Sequence, residues 1–143
     1  MYGEPTTSRI RAAVMARYTL LPFWYTTFYV AFSEGLPVMR PLWMENPSDK
    51  NTFDMDDQWL IGSDLLVKPV TTAGATTASV YFPKGVWYDI ETYAGFTGPA
   101  TKTVEAPLEK IPVYQRGGSI VPRKMRLRRS CLLYTSPSPR DGL

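Results

Sequence analysis

Three carboxylates crowd together at Asp54, Asp56 and Asp57, and a lone arginine, Arg40, stands in the apolar run Val38-Met39-Arg40-Pro41-Leu42. Clustered carboxylates suit proton transfer or, at the right spacing, calcium binding. The spacing argues against calcium. An EF-hand loop alternates its ligands and needs glycine at its sixth position, where a count from Asp54 reaches Trp59. The acidic group is therefore expected to cap, to turn the chain or to pair with Arg40. An arginine among apolar residues carries a penalty of several kcal/mol unless a carboxylate answers it. Arg40 is either a support for a substrate site or one half of a structural ion pair, and the ion pair is the expectation, with Asp56, Asp57 and Glu45 as candidate partners.

Four tryptophans, Trp24, Trp43, Trp59 and Trp87, could stack on sugar rings. Tryptophan in an apolar pattern is more often core, so Trp24, Trp59 and Trp87 are assigned to packing and Trp43 alone is a candidate sugar contact. The chain has no histidine, which removes catalytic schemes built on a histidine base and most zinc sites. Its one cysteine, Cys131, allows no internal disulfide. No metal and no cofactor is expected.

The elements that must position these residues begin with Arg17 to Trp43. Tyr18, Leu20, Leu21, Phe23, Trp24, Tyr25, Phe28, Tyr29, Val30 and Phe32 would coat most of a helix's circumference, so such a helix needs a large apolar partner. Glu4-Pro5-Thr6-Thr7-Ser8 reads as its start, near Ser8 or Arg9, with hydroxyls available to cap. Pro22 should kink or split it, and Gly35 followed by Pro37 should end it. Val38 to Trp43 then reads as a short buried strand. Gln58 to Gly62 and Leu65 to Val70, joined by Gly62-Ser63-Asp64, read as two more strands or as one strand and a buried bend.

From Ala75 the pattern is that of a small β domain. Ala78 to Phe82 and Val86 to Ile90 flank Phe82-Pro83-Lys84-Gly85, which predicts a hairpin about a type I turn, with Trp87 and Tyr88 on opposite faces. Tyr93 to Pro99 reads as a Gly-rich turn. Thr101 to Glu105, Ile111 to Gln115 and Ser119 to Val121 read as strands, fewer than the roughly seven of a β-sandwich.

At 143 residues and 44% hydrophobic content, one ordinary domain could be built. The net charge of +3 falls to −2 once the five cations Arg123, Lys124, Arg126, Arg128 and Arg129 are set aside. The basic run alternates with Met125 and Leu127 as a solvated edge strand would, and nucleic acid is not expected as a partner. No membrane span is expected, because Tyr18 to Phe32 is interrupted by Thr19, Pro22, Thr26 and Thr27 and is shorter than the roughly 20 residues a bilayer requires. Met1-Tyr2-Gly3-Glu4-Pro5 has neither the basic start nor the apolar centre of a signal peptide. Residues 131–143, which include CLLYTSPSPRD, resemble a translated sequencing adapter and are expected to be a non-native tail.

Five ordered segments carry a resemblance: RYTLLPFWYTTFY, EGLPVMRPLW, DDQWLIGSDLLVKPV, FPKGVWYDI and IPVYQRGGSIVP. Together they resemble family 31 glycoside hydrolases across Tyr2 to Ser130. The fold this implies is the last helix and strand of a (β/α)8 barrel in residues 1–57, followed by a truncated antiparallel β-sandwich in 58–130. Arg40, Trp43 and Glu45 would then lie near the rim of the barrel's catalytic face. The ending VPRKMRLRRS resembles the endoplasmic-reticulum members that trim glucose from N-linked glycans.

The resemblance implies a parent that is a retaining α-glucosidase, using two aspartates about 5 Å apart on a glycan or oligosaccharide. It implies an endoplasmic-reticulum lumenal location and a regulatory β-subunit as partner. Both catalytic aspartates of the family are expected upstream, no residue here is assigned a catalytic role, and the chain alone is expected to hydrolyse nothing. Two alternatives stand beside this reading. One is a non-catalytic carbohydrate-binding β domain; the other is a piece of a lysosomal or bacterial α-glucosidase or α-xylosidase of the same family.

Overall fold

The structure, a computed structural model, describes residues 3–125. Arg126, Arg128 and Arg129 of the basic run and the tail at 131–143 lie outside the described residues. Two compact units divide the chain, one holding residues 3–29 and 121–125 and the other residues 30–120.

The first unit contains α1 (Thr6–Thr19) and most of α2 (Leu21–Glu34), which continues into the second. The split expected at Pro22 falls at Leu20, whose N–H turns back to the Arg17 carbonyl at 3.1 Å. Pro22 thereby occupies the first turn of α2, where its missing N–H leaves no bond unmade. Helix α1 starts two residues earlier than Ser8, with Pro5 at its N-cap and no side-chain cap. The Ser8 hydroxyl donates instead to the Pro5 carbonyl. Nothing in α1 is buried. In α2 only Phe23 and Thr27 are, whereas Tyr25, Phe28, Tyr29 and Phe32 stand 58, 57, 65 and 88% exposed. Those four positions follow the i, i+3, i+4, i+7 spacing of one helical stripe. Gly35 closes α2 at φ +71°, its N–H bonded to the Ala31 carbonyl.

The second unit is one six-stranded antiparallel sheet. Its strands are β1 (Met39–Pro41), β2 (Trp59–Ile61), β3 (Leu65–Val67), β4 (Thr77–Asp89), β5 (Gly95–Glu105) and β6 (Val113–Arg116), in the order β1-β2-β3-β6-β4-β5. The expected strand over Val38 to Trp43 is cut to Met39–Pro41, because Leu42 opens a single helical turn, α3 (Leu42–Glu45). Strand β1 pairs antiparallel with β2, Arg40 facing Leu60. The parallel pairing of a barrel strand is not formed among the described residues. Of the two readings left open for Gln58 to Val70, two strands form, β2 and β3, and they pair antiparallel through Gly62-Ser63-Asp64.

The hairpin expected about Pro83-Lys84 is not one. The runs on either side of it belong to the single strand β4, and both pair with β5. Between Phe82 and Gly85 the register gains one residue on β4, since Phe82 faces Ala100 and Gly85 faces Gly98. This is a β-bulge, in which Gly85 takes φ +130°. The turn lies further on, at Ile90 to Ala94, where the Asp89 carboxylate accepts from the amides of Glu91 and Thr92. Gly95 to Pro99, expected as a turn, starts β5, and Ser119 to Val121 forms no strand. All six strands lie in one sheet, so the second layer of a sandwich is not among the described residues. The core is Leu42, Leu60, Leu66, Val80, Tyr81, Phe82, Trp87 and Tyr114. Phe96 stacks on Phe82 at 4.8 Å between centroids, and Tyr114 meets both edge-on.

Candidate functional site

Strand β1 and the turn after it place the residues singled out for chemistry. Arg40 is the middle residue of β1 and only 6% exposed, because alternation along so short a strand turns Met39 outward and Arg40 in. Its Nε donates to the Pro37 carbonyl at 2.9 Å and its Nη1 to Glu45 Oε1 at 2.5 Å. The partner is thus Glu45, the last residue of α3, five positions away. Neither Asp56 nor Asp57 pairs with Arg40: Asp57 pairs with the buried Lys68, while Asp56 stays exposed. The physical reason is reach. One turn of helix returns Glu45 over the strand it has just left, whereas Asp57 precedes β2 on the side where the Lys68 ammonium needs an anion.

Leu42 is fully buried and anchors α3, which leaves Trp43 at 45% exposure. The Asn46 side chain returns a bond to the Leu42 carbonyl, and its Oδ1 meets Arg116 Nη2 at 3.5 Å. Arg116 also lies 5.4 Å from the centre of the Trp87 ring.

Beside Arg40 a shallow cleft of about 210 Å³ opens. Met39, Pro41, Met55, Asp56 and Trp59 line it together with Arg40 and Gln58, Asp56 being exposed and Trp59 half-buried. The Gln58 side-chain amide donates to the Tyr81 carbonyl at 2.7 Å while its oxygen accepts from the Tyr81 N–H. That side chain replaces a missing strand pair. The Tyr81 hydroxyl donates to Asp49 at 2.5 Å; burial first, then this bond, raises its pKa. Among the described residues no group of three or more His, Cys, Asp or Glu side chains is placed to hold a metal ion.

Trp59, expected in packing, lines the cleft. The signal was present in β2, where Trp59 and Ile61 alternate with the fully buried Leu60 and so belong to the more open face. Trp24 is half-buried, and Trp87 is wholly buried as expected.

Residues 35–121 match the family model for the glycosyl hydrolase family 31 C-terminal domain. The chain belongs to that family. It is 56% identical over 123 residues to human neutral alpha-glucosidase AB, covering 85% of this chain and 13% of that protein. It is 49% identical over 131 residues to a probable glucan 1,3-alpha-glucosidase of Arabidopsis thaliana, covering 91% and 14%. Among solved structures it is similar to a heterodimeric complex of ER glucosidase II, made of the catalytic subunit and the binding domain of the regulatory subunit. The TM-score there is 0.85 at 42% identity, covering 92% of this chain and 14% of that one. A dextranase of Flavobacterium johnsoniae in complex with glucose gives 0.82 at 41%, covering 85% and 15%. The chain therefore spans about one seventh of the proteins it matches. No helix among its described residues is long and apolar enough to cross a membrane.

Proposed function

We propose that this chain is the C-terminal part of a retaining α-glucosidase that removes terminal α-linked glucose from N-linked glycans. In this reading the parent works in the lumen of the endoplasmic reticulum with a regulatory β-subunit. The observation that carries it is the 56% identity to neutral alpha-glucosidase AB over 123 residues. Helices α1 and α2 close the barrel of the parent, and β2 to β6 begin the β domain that braces it. The stripe of Tyr25, Phe28, Tyr29 and Phe32, all more than half exposed, supports a helix meant to lie against further protein. None of the carboxylates described above is assigned as nucleophile or acid.

The test is to join the coding sequence to its upstream portion and follow the product by proton NMR with an aryl α-glucoside. Release of α-glucose before mutarotation is expected, since a double displacement retains configuration. The 143-residue chain alone is expected to release none. An inverting or inactive full-length protein, or turnover by the isolated chain, would overturn the reading.

A further inference from the structure

We propose that Thr71 and Thr72, in the connection between β3 and β4, are acceptors for O-linked glycosylation, each hydroxyl taking one neutral sugar from a nucleoside-diphosphate donor. The connection reads Pro69-Val70-Thr71-Thr72-Ala73-Gly74-Ala75-Thr76. Thr71, Thr72, Ala73 and Gly74 are all exposed, and neither threonine belongs to a strand or helix. One turn bond, from the Ala75 N–H to the Thr72 carbonyl at 3.2 Å, holds this stretch. A transferase must draw a length of main chain into its own cleft, and here little has to be broken to allow it. The two hydroxyls are also idle. Those of Thr19, Thr26, Thr27 and Thr52 donate to the carbonyls of Met15, Pro22, Phe23 and Asp49. Those of Thr71 and Thr72 make no such bond among the described residues.

The neighbours select a sugar over a phosphate. No charged residue lies between Pro69 and Pro83, and Lys68 is buried and already paired with Asp57. A phosphoryl dianion would therefore find no cation in this stretch to answer it. A sugar is neutral and bulky, so it needs space rather than charge. Ala73 and Gly74 leave that space, and even a Cβ added at Gly74 would meet nothing within 4 Å. Threonine beside proline and small residues is also the composition of O-glycosylated segments. The step is a substitution at the anomeric carbon. The threonine Oγ1 forms the new bond to that carbon, the bond from the carbon to the diphosphate breaks, and the hydroxyl proton leaves with the nucleoside diphosphate. Strand β5 supplies the contrast: Thr97, Thr101 and Thr103 are exposed too, but they face Val86, Tyr81 and Ser79 in the β4–β5 ladder and cannot be lifted out without breaking the sheet. The inference stands on this connection alone, so a parent that fails to hydrolyse glucosides leaves it intact.

The experiment incubates the full 143-residue chain with UDP-N-acetylgalactosamine and a polypeptide N-acetylgalactosaminyltransferase. A parallel arm uses UDP-N-acetylglucosamine with a protein O-N-acetylglucosaminyltransferase. Peptide mass spectrometry then locates the sugar. Sugar on Thr71 or Thr72 is expected in one arm, which identifies the donor, with Thr97, Thr101 and Thr103 bare. Thr71→Val combined with Thr72→Val should abolish incorporation, whereas Thr101→Val combined with Thr103→Val should leave it unchanged. All four side chains are exposed, and thermal melts of the two double variants report that the fold is kept. No incorporation in either arm, sugar spread evenly over the β5 threonines, or undiminished incorporation by the Thr71→Val, Thr72→Val chain would overturn the proposal.

Discussion

The Trp87 indole N–H donates to the Pro83 carbonyl oxygen at 2.9 Å, spanning the bulge that interrupts the β4–β5 register. Trp87 is completely buried, so this carbonyl, turned out of the ladder by the extra residue, has no water to replace the indole. Trp87→Phe keeps most of the ring and strands the acceptor, for an expected loss of about 1–3 kcal/mol. Trp87→Ala adds a cavity and should cost about 3–5 kcal/mol. Urea unfolding of the two variants separates the bond from the packing. Equal losses would mean that the hydrogen bond contributes nothing.

The same bulge brings two backbones unusually close. A Cβ placed on Gly98 would lie 2.1 Å from the Pro83 carbonyl oxygen and 2.4 Å from that of Phe82. Both are main-chain atoms in a paired region and cannot swing aside. Gly98→Ala is therefore expected to destabilise by about 3 kcal/mol or more. Gly95→Ala, on the same strand, meets only the Tyr88 ring at 3.6 Å and should change stability by under about 1 kcal/mol. Thermal melts of the pair decide it, and a Gly98 variant as stable as the Gly95 variant would rule out the close approach.

The contrast between β2–β3 and β4 shows which features were legible in the residues. Gly62-Ser63-Asp64 separates two short apolar runs, and local preference alone folds them back on each other. Pro83-Lys84-Gly85 carries the same kind of local signal. There it is overruled, because the long partner β5 pairs with the segments on both sides and converts the turn into a bulge. The helix end at Gly35 was readable because φ +71° is a demand on one residue. The need of Arg40 for a carboxylate could be read as well, since burial of a charge is a local consequence of its neighbours. Its choice of Glu45 over Asp57 could not, because it depends on Leu42 opening a helical turn and on Lys68 lying near Asp57.

The Arg40–Glu45 pair should behave as a coupled unit. The guanidinium is almost wholly buried and Glu45 keeps about a fifth of its side chain in solvent. Glu45→Ala should then cost about 2–4 kcal/mol, somewhat below the fully buried case, because Arg40 is left without its anion. The double variant Arg40→Met, Glu45→Leu should recover much of that loss. A double-mutant cycle measured by urea unfolding is expected to give a coupling above about 1 kcal/mol for Arg40 with Glu45 and under about 0.5 kcal/mol for Arg40 with Asp57. The reverse ranking would mean that Asp57, not Glu45, neutralises Arg40 in solution.

Stability should fall at both ends of the pH scale, for reasons that single substitutions can separate. Burial by itself would raise the pKa of Asp89, but Lys110 Nζ at 2.8 Å and the amides of Thr92 and Glu91 outweigh it and hold the carboxyl below its ordinary value. The stabilisation is present above the unfolded pKa, near 4, and is lost as pH falls through the lower folded value. Asp89→Asn, which can still accept from the two amides, should flatten that acid limb and lower stability at neutral pH. At the alkaline end, burial and then the charge of Asp89 push the Tyr114 pKa up to about 12. Its protonated form is favoured in the folded state, so this contribution is complete below the unfolded value of about 10 and disappears as pH rises from there to about 12. Lys110 acts in the same direction: burial would lower its pKa, yet Asp89 and Glu91 raise it on balance. Unfolding free energies measured from pH 9 to 12 should therefore decline, and Tyr114→Phe should remove up to about one proton's worth of the slope. A Tyr114→Phe protein with an unchanged alkaline slope would place the titrating groups elsewhere and would mean that the ring's hydroxyl stays solvated in the folded chain.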